Sequence, residues 1–367
     1  AEDRLGTIKL EAGFATDQLV FGGAEAKARN LFGTGAQFRA NGEAGLDRRF
    51  ANVGLSFPQF WMDHFVSVPL KFDVTGSALR DKHERFGVLR SYELGATLGR
   101  LLSQNTQFGF GYRFRQFDRQ EELVRPAGAS GAIDRDSVRT TSALIGPALS
   151  YDRRQDEKGK NPILPTQGFL LNLSLQWASR YVGGDADFIK FSSSGTFFVP
   201  VSQRILLQTK LRYDQGFPLG GAVMLPEVER FFGGGDSDFR GIESDRLHTE
   251  VIRAPLYPGG PAEGFRVVPA GGNIRALATI DLEFRVWDNS FLGGLPLASA
   301  VFLDNGLITN SLDPDAFGIG DVRHSLGLGL RLVTPLGKFS FEWAVPLDPQ
   351  LGDDPRGRLH FNIGFGF

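Results

Sequence analysis

The residues best suited to specific chemistry lie in one run, Glu229-Arg230-Phe231-Phe232-Gly233-Gly234-Gly235-Asp236-Ser237-Asp238-Phe239-Arg240-Gly241-Ile242. A glycine triplet after two phenylalanines, then an arginine between apolar neighbours, is the composition of a segment that packs. A buried guanidinium is costly unless it meets carboxylates. Candidate partners follow at Asp281 and Glu283, and at Asp304 in Phe302-Leu303-Asp304-Asn305-Gly306. Other chemistries lack their residues. His64, His83, His248, His324 and His360 are scattered without ligand spacing. Asp236, Asp238, Glu243 and Asp245 do not have the spacing of a calcium cage. Gly233-Gly234-Gly235 has neither the strand–loop–helix context nor the lysine of a phosphate loop. No motif gathers serine, histidine and acid for a hydrolase, and with no cysteine there is no thiol chemistry. The expectation is a protein without catalytic residues, metal or cofactor, and not an enzyme.

The elements around this run follow a period of two. In Gln107–Phe117, Phe108, Phe110, Tyr112 and Phe114 share one face, and Gly109, Gly111, Arg113 and Arg115 the other. Ile280, Leu282, Phe284 and Val286 oppose Thr279, Asp281, Glu283 and Arg285. Leu326, Leu328, Leu330 and Leu332 oppose Gly327, Gly329 and Arg331; Phe339, Phe341 and Trp343 oppose Ser340 and Glu342. The last residues repeat the scheme, with Leu359, Phe361, Ile363, Phe365 and Phe367 against His360, Asn362, Gly364 and Gly366. Bulky groups on one side and a thin polar lining on the other suit the wall of a membrane barrel. Such segments start near Gly6, Gln18, Gly35, Asp47, Val66, Phe86, Thr106, Val138, Gly168, Phe188, Arg204, Asn273, Ala298, Ser325, Lys338 and Leu359. That makes about 16 strands, the even number a single-chain outer-membrane barrel needs.

Connections alternate in length. Val199–Gln203 and Thr334–Gly337 are short, whereas Arg119–Ser137 and Phe217–Gly272 are long. Short periplasmic turns and long outer loops are the usual asymmetry, with Arg154–Gln167 a longer periplasmic turn than expected. A barrel of this size has a lumen too wide for its lining to fill, so water or a folded-in loop must occupy it. The chain of 367 residues, net charge −2, is accordingly read as one all-β domain, residues 1–367, with loop 217–272 plugging the lumen. Mean hydropathy of −0.14 fits a polar lumen, and no stretch is long and apolar enough for a spanning helix. Near-neutral charge gives no support to nucleic-acid binding. The charged start Ala1-Glu2-Asp3-Arg4 lacks a signal-peptide core, as expected of a mature or trimmed fragment.

At Phe239-Arg240-Gly241-Ile242 the sequence resembles the BamA/TamA-type outer-membrane assembly family, whose superfamily includes two-partner secretion transporters. Arg230-Phe231-Phe232-Gly233-Gly234-Gly235 matches the usual lead-in to that motif, while Ile242 stands where the family carries phenylalanine or tyrosine. Asn30-Leu31-Phe32-Gly33-Thr34-Gly35, Tyr151-Asp152-Arg153-Arg154, Pro165-Thr166-Gln167-Gly168, Gly271-Gly272-Asn273 and Leu330–Gly337 extend the match in order along the chain. The resemblance implies that the sixth outer loop folds into the barrel and that Arg240 pairs with acids on strands twelve and thirteen, by position Glu283 and Asp304. It also implies periplasmic POTRA repeats, absent from this chain, which is therefore read as a barrel-only piece.

The same resemblance implies a mechanism. Strand one, with Ile8, Leu10 and Phe14 outward, meets the last strand, with Phe361, Ile363, Gly364, Phe365, Gly366 and Phe367, at a seam that opens laterally. The freed edge of strand one then templates an incoming substrate strand. Implied partners are outer-membrane lipid, unfolded outer-membrane protein substrates, and accessory periplasmic or lipoprotein subunits reached through the POTRA repeats. The alternatives are polypeptide secretion or a TamA-like role within the superfamily and, in a different class, a passive porin or an outer-membrane hydrolase.

Overall fold

Alternating side chains resolve into sixteen strands that close on themselves. The computed structural model describes residues 6–15, 19–61, 69–83, 85–122, 135–156, 159–160, 165–236, 238–255, 263–287, 297–311, 321–334 and 337–364. The barrel strands are β1 Gly6–Ala15, β2 Leu19–Leu31, β3 Ala36–Gly45, β4 Arg48–Trp61, β5 Leu70–His83 and β6 Gly87–Leu101. They continue as β7 Thr106–Glu122, β8 Arg135–Asp152, β9 Gly168–Ala178, β10 Phe188–Ser202 and β11 Ile205–Pro218. The last five are β12 Ile274–Trp287, β13 Leu297–Thr309, β14 Arg323–Thr334, β15 Gly337–Pro346 and β16 Arg358–Gly364. Each pairs antiparallel with its sequence neighbours, so the ladder groups between consecutive strands are partnered within the wall, and β1 beside β16 completes the ring. Among the described residues, helix is confined to short 3₁₀ pieces, Arg180–Val182, Glu227–Glu229 and Asp321.

The two faces carry the expected polarity, inverted relative to a soluble sheet. Leu326, Leu328, Leu330, Phe341 and Trp343 are exposed on the outside, while Asp281, Arg331 and Glu342 are buried within. That arrangement is stable only where hydrocarbon bathes the outer face. Two connections carry pairing that the sequence reading did not anticipate. The two ends of the segment Arg119–Ser137 are strand: β7 and β8 pair as far as Glu122↔Arg135, and residues 123–134 lie outside the described residues. The long turn Arg154–Gln167 carries its own short hairpin, Gln155–Asp156 with Gly159–Lys160, and a bridge from Gln155 to Gln167. A long connection with internal pairing needs no solvent-filled loop.

The longest connection joins β11 to β12, as read from the sequence, beginning after Pro218. It holds the 3₁₀ turn Glu227–Glu229 and an unpredicted hairpin, Thr249–Pro255 with Glu263–Pro269. Among the described residues, β1 and β16 meet at one pair, Ala15↔Asn362.

Candidate functional site: the lumen loop, its wall and the seam

Arg240 descends from the long loop onto the wall of β12–β16, where the register creates a place for it. Across the lumen face, Asp304 of β13 stands opposite Thr279 of β12 and Ser325 of β14; one rung along, Phe302 stands between Asp281 and Gly327. Small residues at Gly327, Gly329 and Ala344 leave the Phe302 ring lying flat against the wall: a Cβ on Gly327 would come within 2.2 Å of it. The Arg240 guanidinium lies over that ring, 3.2 Å from its centroid.

The head group is fully engaged. Nε and Nη2 of Arg240 donate to the two oxygens of Asp304, each at 2.8 Å, and its backbone N–H adds a third bond at 3.1 Å. Nη1 donates to Glu342 at 2.9 Å and lies 3.6 Å from Asp281. Such a fork onto one carboxylate is the geometry that arginine, and not lysine, provides. Glu283 does not join it, contrary to the sequence expectation. Its carboxylate faces Arg331 of β14 at 3.2 Å, being one rung further along β12 than Asp281. Arg331 also binds Asp281 and Glu342, so two guanidiniums share four carboxylates: Asp281, Glu283, Asp304 and Glu342. Sequence reading placed Arg331 and Glu342 on the lumen side without seeing them as part of the cluster. The available signal was a long charged residue beside short ones on the same face: Arg331 after Ser325, Gly327 and Gly329, and Glu342 between Ser340 and Ala344.

The flanking residues fix the approach. Gly241 adopts φ +95°, and a side chain there would come within 2.6 Å of Ser325 Oγ. Its N–H donates to Nε2 of the buried His360 on β16 at 3.2 Å. Phe239 and Ile242 are buried with Leu247, Leu277 and Ile308, so Ile242 fills apolar space where the family has a ring. Within the triplet, Gly234 has φ +126° and its Cβ would meet Glu243 O at 2.3 Å; Gly233 accepts from Leu247 N–H at 2.8 Å, and Gly235 from Phe239 N–H at 3.2 Å.

The lead-in is held on other strands. Glu229, buried, pairs with Lys190 of β10 at 3.0 Å and lies 3.6 Å from Arg115 of β7. Burial alone raises the Glu229 carboxyl, but Lys190 and Arg115 outweigh it and hold the group below the usual range. Arg85, between β5 and β6, binds Glu227, Glu250 and the Pro269 carbonyl. Arg275 binds Asp214 and the Phe232 carbonyl. The loop is thus bolted around much of one barrel end. On the wall it leaves uncovered, Thr97, Gln107, Ser150, Asn172 and Ser194 border a cavity of about 460 Å³. Among the described residues, no His, Asp or Glu grouping could hold a metal ion.

At the seam, Ile8 and Leu10 are exposed and Phe361 is half-buried. Phe14, Ile363 and Gly364 are placed as strand backbone, and Phe365, Gly366 and Phe367 lie outside the described residues. Ser237 of the motif lies outside them as well.

Comparison with known proteins matches this architecture. Residues 30–367 match the Omp85 superfamily domain. Outer membrane protein assembly factor BamA of Nitratidesulfovibrio vulgaris is 27% identical over 263 residues, covering 70% of this chain and 29% of that protein. BamA of Neisseria meningitidis serogroup B is 23% identical, covering 100% of this chain and 47% of its own length. The chain therefore spans less than half of each relative. Among solved structures, BamA from Haemophilus ducreyi lacking POTRA domains 1–3 superposes with a TM-score of 0.77 at 18% identity, over 99% of this chain and 70% of that one. CdiB from Escherichia coli gives 0.60 at 16%, over 99% and 63%. At those identities the structures speak for the fold, and the domain match speaks for descent: the chain belongs to the Omp85 superfamily, as a β-barrel of the bacterial outer membrane.

Proposed function

We propose that this barrel inserts and folds other outer-membrane β-barrels at a lateral gate between β1 and β16. The observation that carries the proposal is the seam. Lys338–Ala344 of β15 pair without interruption with Gly364–Arg358 of β16, yet among the described residues β16 meets β1 at Ala15↔Asn362 alone. Ile363 and Gly364 are strand residues, as are Phe14 and Gly13, but among the described residues they do not pair across the seam. Unsatisfied backbone groups in hydrocarbon cost several kcal/mol each, so an edge held, among the described residues, at one rung favours an incoming strand that completes it. Backbone pairing to β1 supplies affinity, and the exposed Ile8 and Leu10 set the register for the substrate's alternate apolar side chains. No covalent bond is made or broken. Unfolded barrel proteins are the substrates, and accessory periplasmic or lipoprotein subunits act through POTRA repeats of the full-length protein.

A second reading, passage of a polypeptide through the lumen, is favoured by the hydroxyl- and amide-lined cavity beside the loop. A cysteine pair at Ala15 and Asn362 in the full-length protein separates the two. Opposed strand residues lie within disulfide reach. Loss of substrate-barrel assembly on oxidation, restored by reductant, is expected of a gate. Unimpaired assembly in the locked protein would sink it, and continued export of a passenger under the same lock would favour the lumen.

A further inference from the structure

The outer surface of β4–β8 carries a row of guanidiniums, three of which no described carboxylate neutralises. Register aligns Arg49 with Arg80, Arg80 with Arg90, Arg90 with Asp118, and Asp118 with Arg139 on five successive strands. All face outward, by even spacing from the exposed Val53, Val74, Leu94 and Tyr112 on β4 to β7, and with Arg139 paired outward to Asp118. Asp118 is taken by Arg139 at 3.0 Å and by Gln116. Among the described residues, Arg49, Arg80 and Arg90 form no ion pair. Like charges directly opposite on neighbouring strands repel, so three adjacent unpaired arginines are an unfavourable arrangement for the bare protein.

Their height explains what offsets it. One rung below lie Ala51, Ala78, Tyr92, Gln116 and Thr141; the next holds Val53, Gly76, Leu94 and Phe114, and the next Leu55, Val74, Ala96 and Tyr112. The arginines thus stand about 13 Å along the strands from the first wholly apolar rung, given four residues of strand rise, with the amphipathic Tyr92 ring between. This is the headgroup level of a bilayer. The row also lies at the loop-capped end: Arg85, in the next connection, is the residue that binds Glu227 and Glu250 of the long loop.

We propose that Arg49, Arg80 and Arg90 form a binding site for a net-anionic phosphate-bearing lipid headgroup of the leaflet at that end. Strands about 4.8 Å apart place neighbouring guanidiniums where phosphate oxygens can bridge them, while the acyl chains lie along Val53, Leu94 and Leu55. Continuity with the apolar band selects a lipid over a free anion. The site is independent of whether the seam opens, so it stands or falls separately from the insertase reading.

Native mass spectrometry of the folded chain, released from detergent after incubation with lipid A, phosphatidylglycerol or phosphatidylcholine, tests it. Lipid A and phosphatidylglycerol are expected to stay bound where zwitterionic phosphatidylcholine does not. The triple variant Arg49→Gln, Arg80→Gln, Arg90→Gln should lower retention about tenfold or more, as expected for lost charge-assisted hydrogen bonds. The single variant Arg80→Gln, at the centre of the row, gives the same reading at smaller amplitude if the triple variant folds poorly. Equal retention by variant and parent overturns the site. Displacement of the lipid by equimolar inorganic phosphate overturns the lipid assignment.

Discussion

Arg240 is the residue on which most of the lumen chemistry converges, and its removal takes a cation from Asp304, Glu342 and Asp281, the last two of which keep Arg331. Arg240→Ala leaves Asp304 buried without its partner, a change that costs about 3–5 kcal/mol for a buried pair. Denaturant unfolding of the barrel should show it as a lowered midpoint, and an unchanged midpoint would mean that the cluster carries no stability. Arg331→Ala should cost a similar amount, because Arg331 spans Asp281 and Glu342 within the wall itself. The contrast between the two is diagnostic: Arg240→Ala should also speed protease attack on the long loop, and Arg331→Ala much less so. The arginine and one partner, Asp304, were legible in the sequence, since an apolar-flanked arginine demands an acid. Which acids answer was not legible. Asp281 and Glu283 share a face of β12, and only the register against β13 and β14 decides that the first lies under Arg240 and the second beside Arg331.

Among the elements, the long loop is held by independent attachments with different sensitivities. Glu229 has a depressed carboxyl, so its contribution is complete above the ordinary glutamate range and is lost as pH falls through the lower folded-state value. Loop protection from protease should therefore hold from neutrality to mildly acid pH and weaken only below about pH 4; weakening that starts near pH 6 would contradict the Glu229 pairing. Arg85 anchors the far side through Glu250 and Pro269 O, beside the hairpin Thr249–Pro255 and Glu263–Pro269. Arg85→Ala should raise cleavage in that hairpin while leaving the Arg240 contacts intact, a combination read by site-specific proteolysis. The hairpin escaped the sequence reading because Gly271-Gly272 and the motif drew the loop as irregular backbone. Its alternation, in Val251 and Phe265 outward, is short and lacks the two-residue turn that marks tight hairpins.

For the molecule as a whole, strand number and order were readable because period two survives wherever lipid lies on one side and a polar lumen on the other. The β15 segment Lys338–Val345 differs from the observed Gly337–Pro346 by a residue at each end. What the pattern could not convey is how the interior is divided, with one wall covered by the loop and the other bordering open volume. Ionic current should accordingly be low in planar bilayers, and replacing the loop between Pro218 and Ile274 by a short glycine-serine linker should raise it severalfold; equal currents would mean that the loop does not obstruct the pore. The hydrogen bond from Gly241 to His360 has a mechanical corollary. His360 lies two residues from Asn362, the rung that zips the cylinder shut. Under the proposed gating, a hinge of β16 away from β1 would tug directly on the stopper and a seated stopper would resist that hinge, coupling ajar to unplugged.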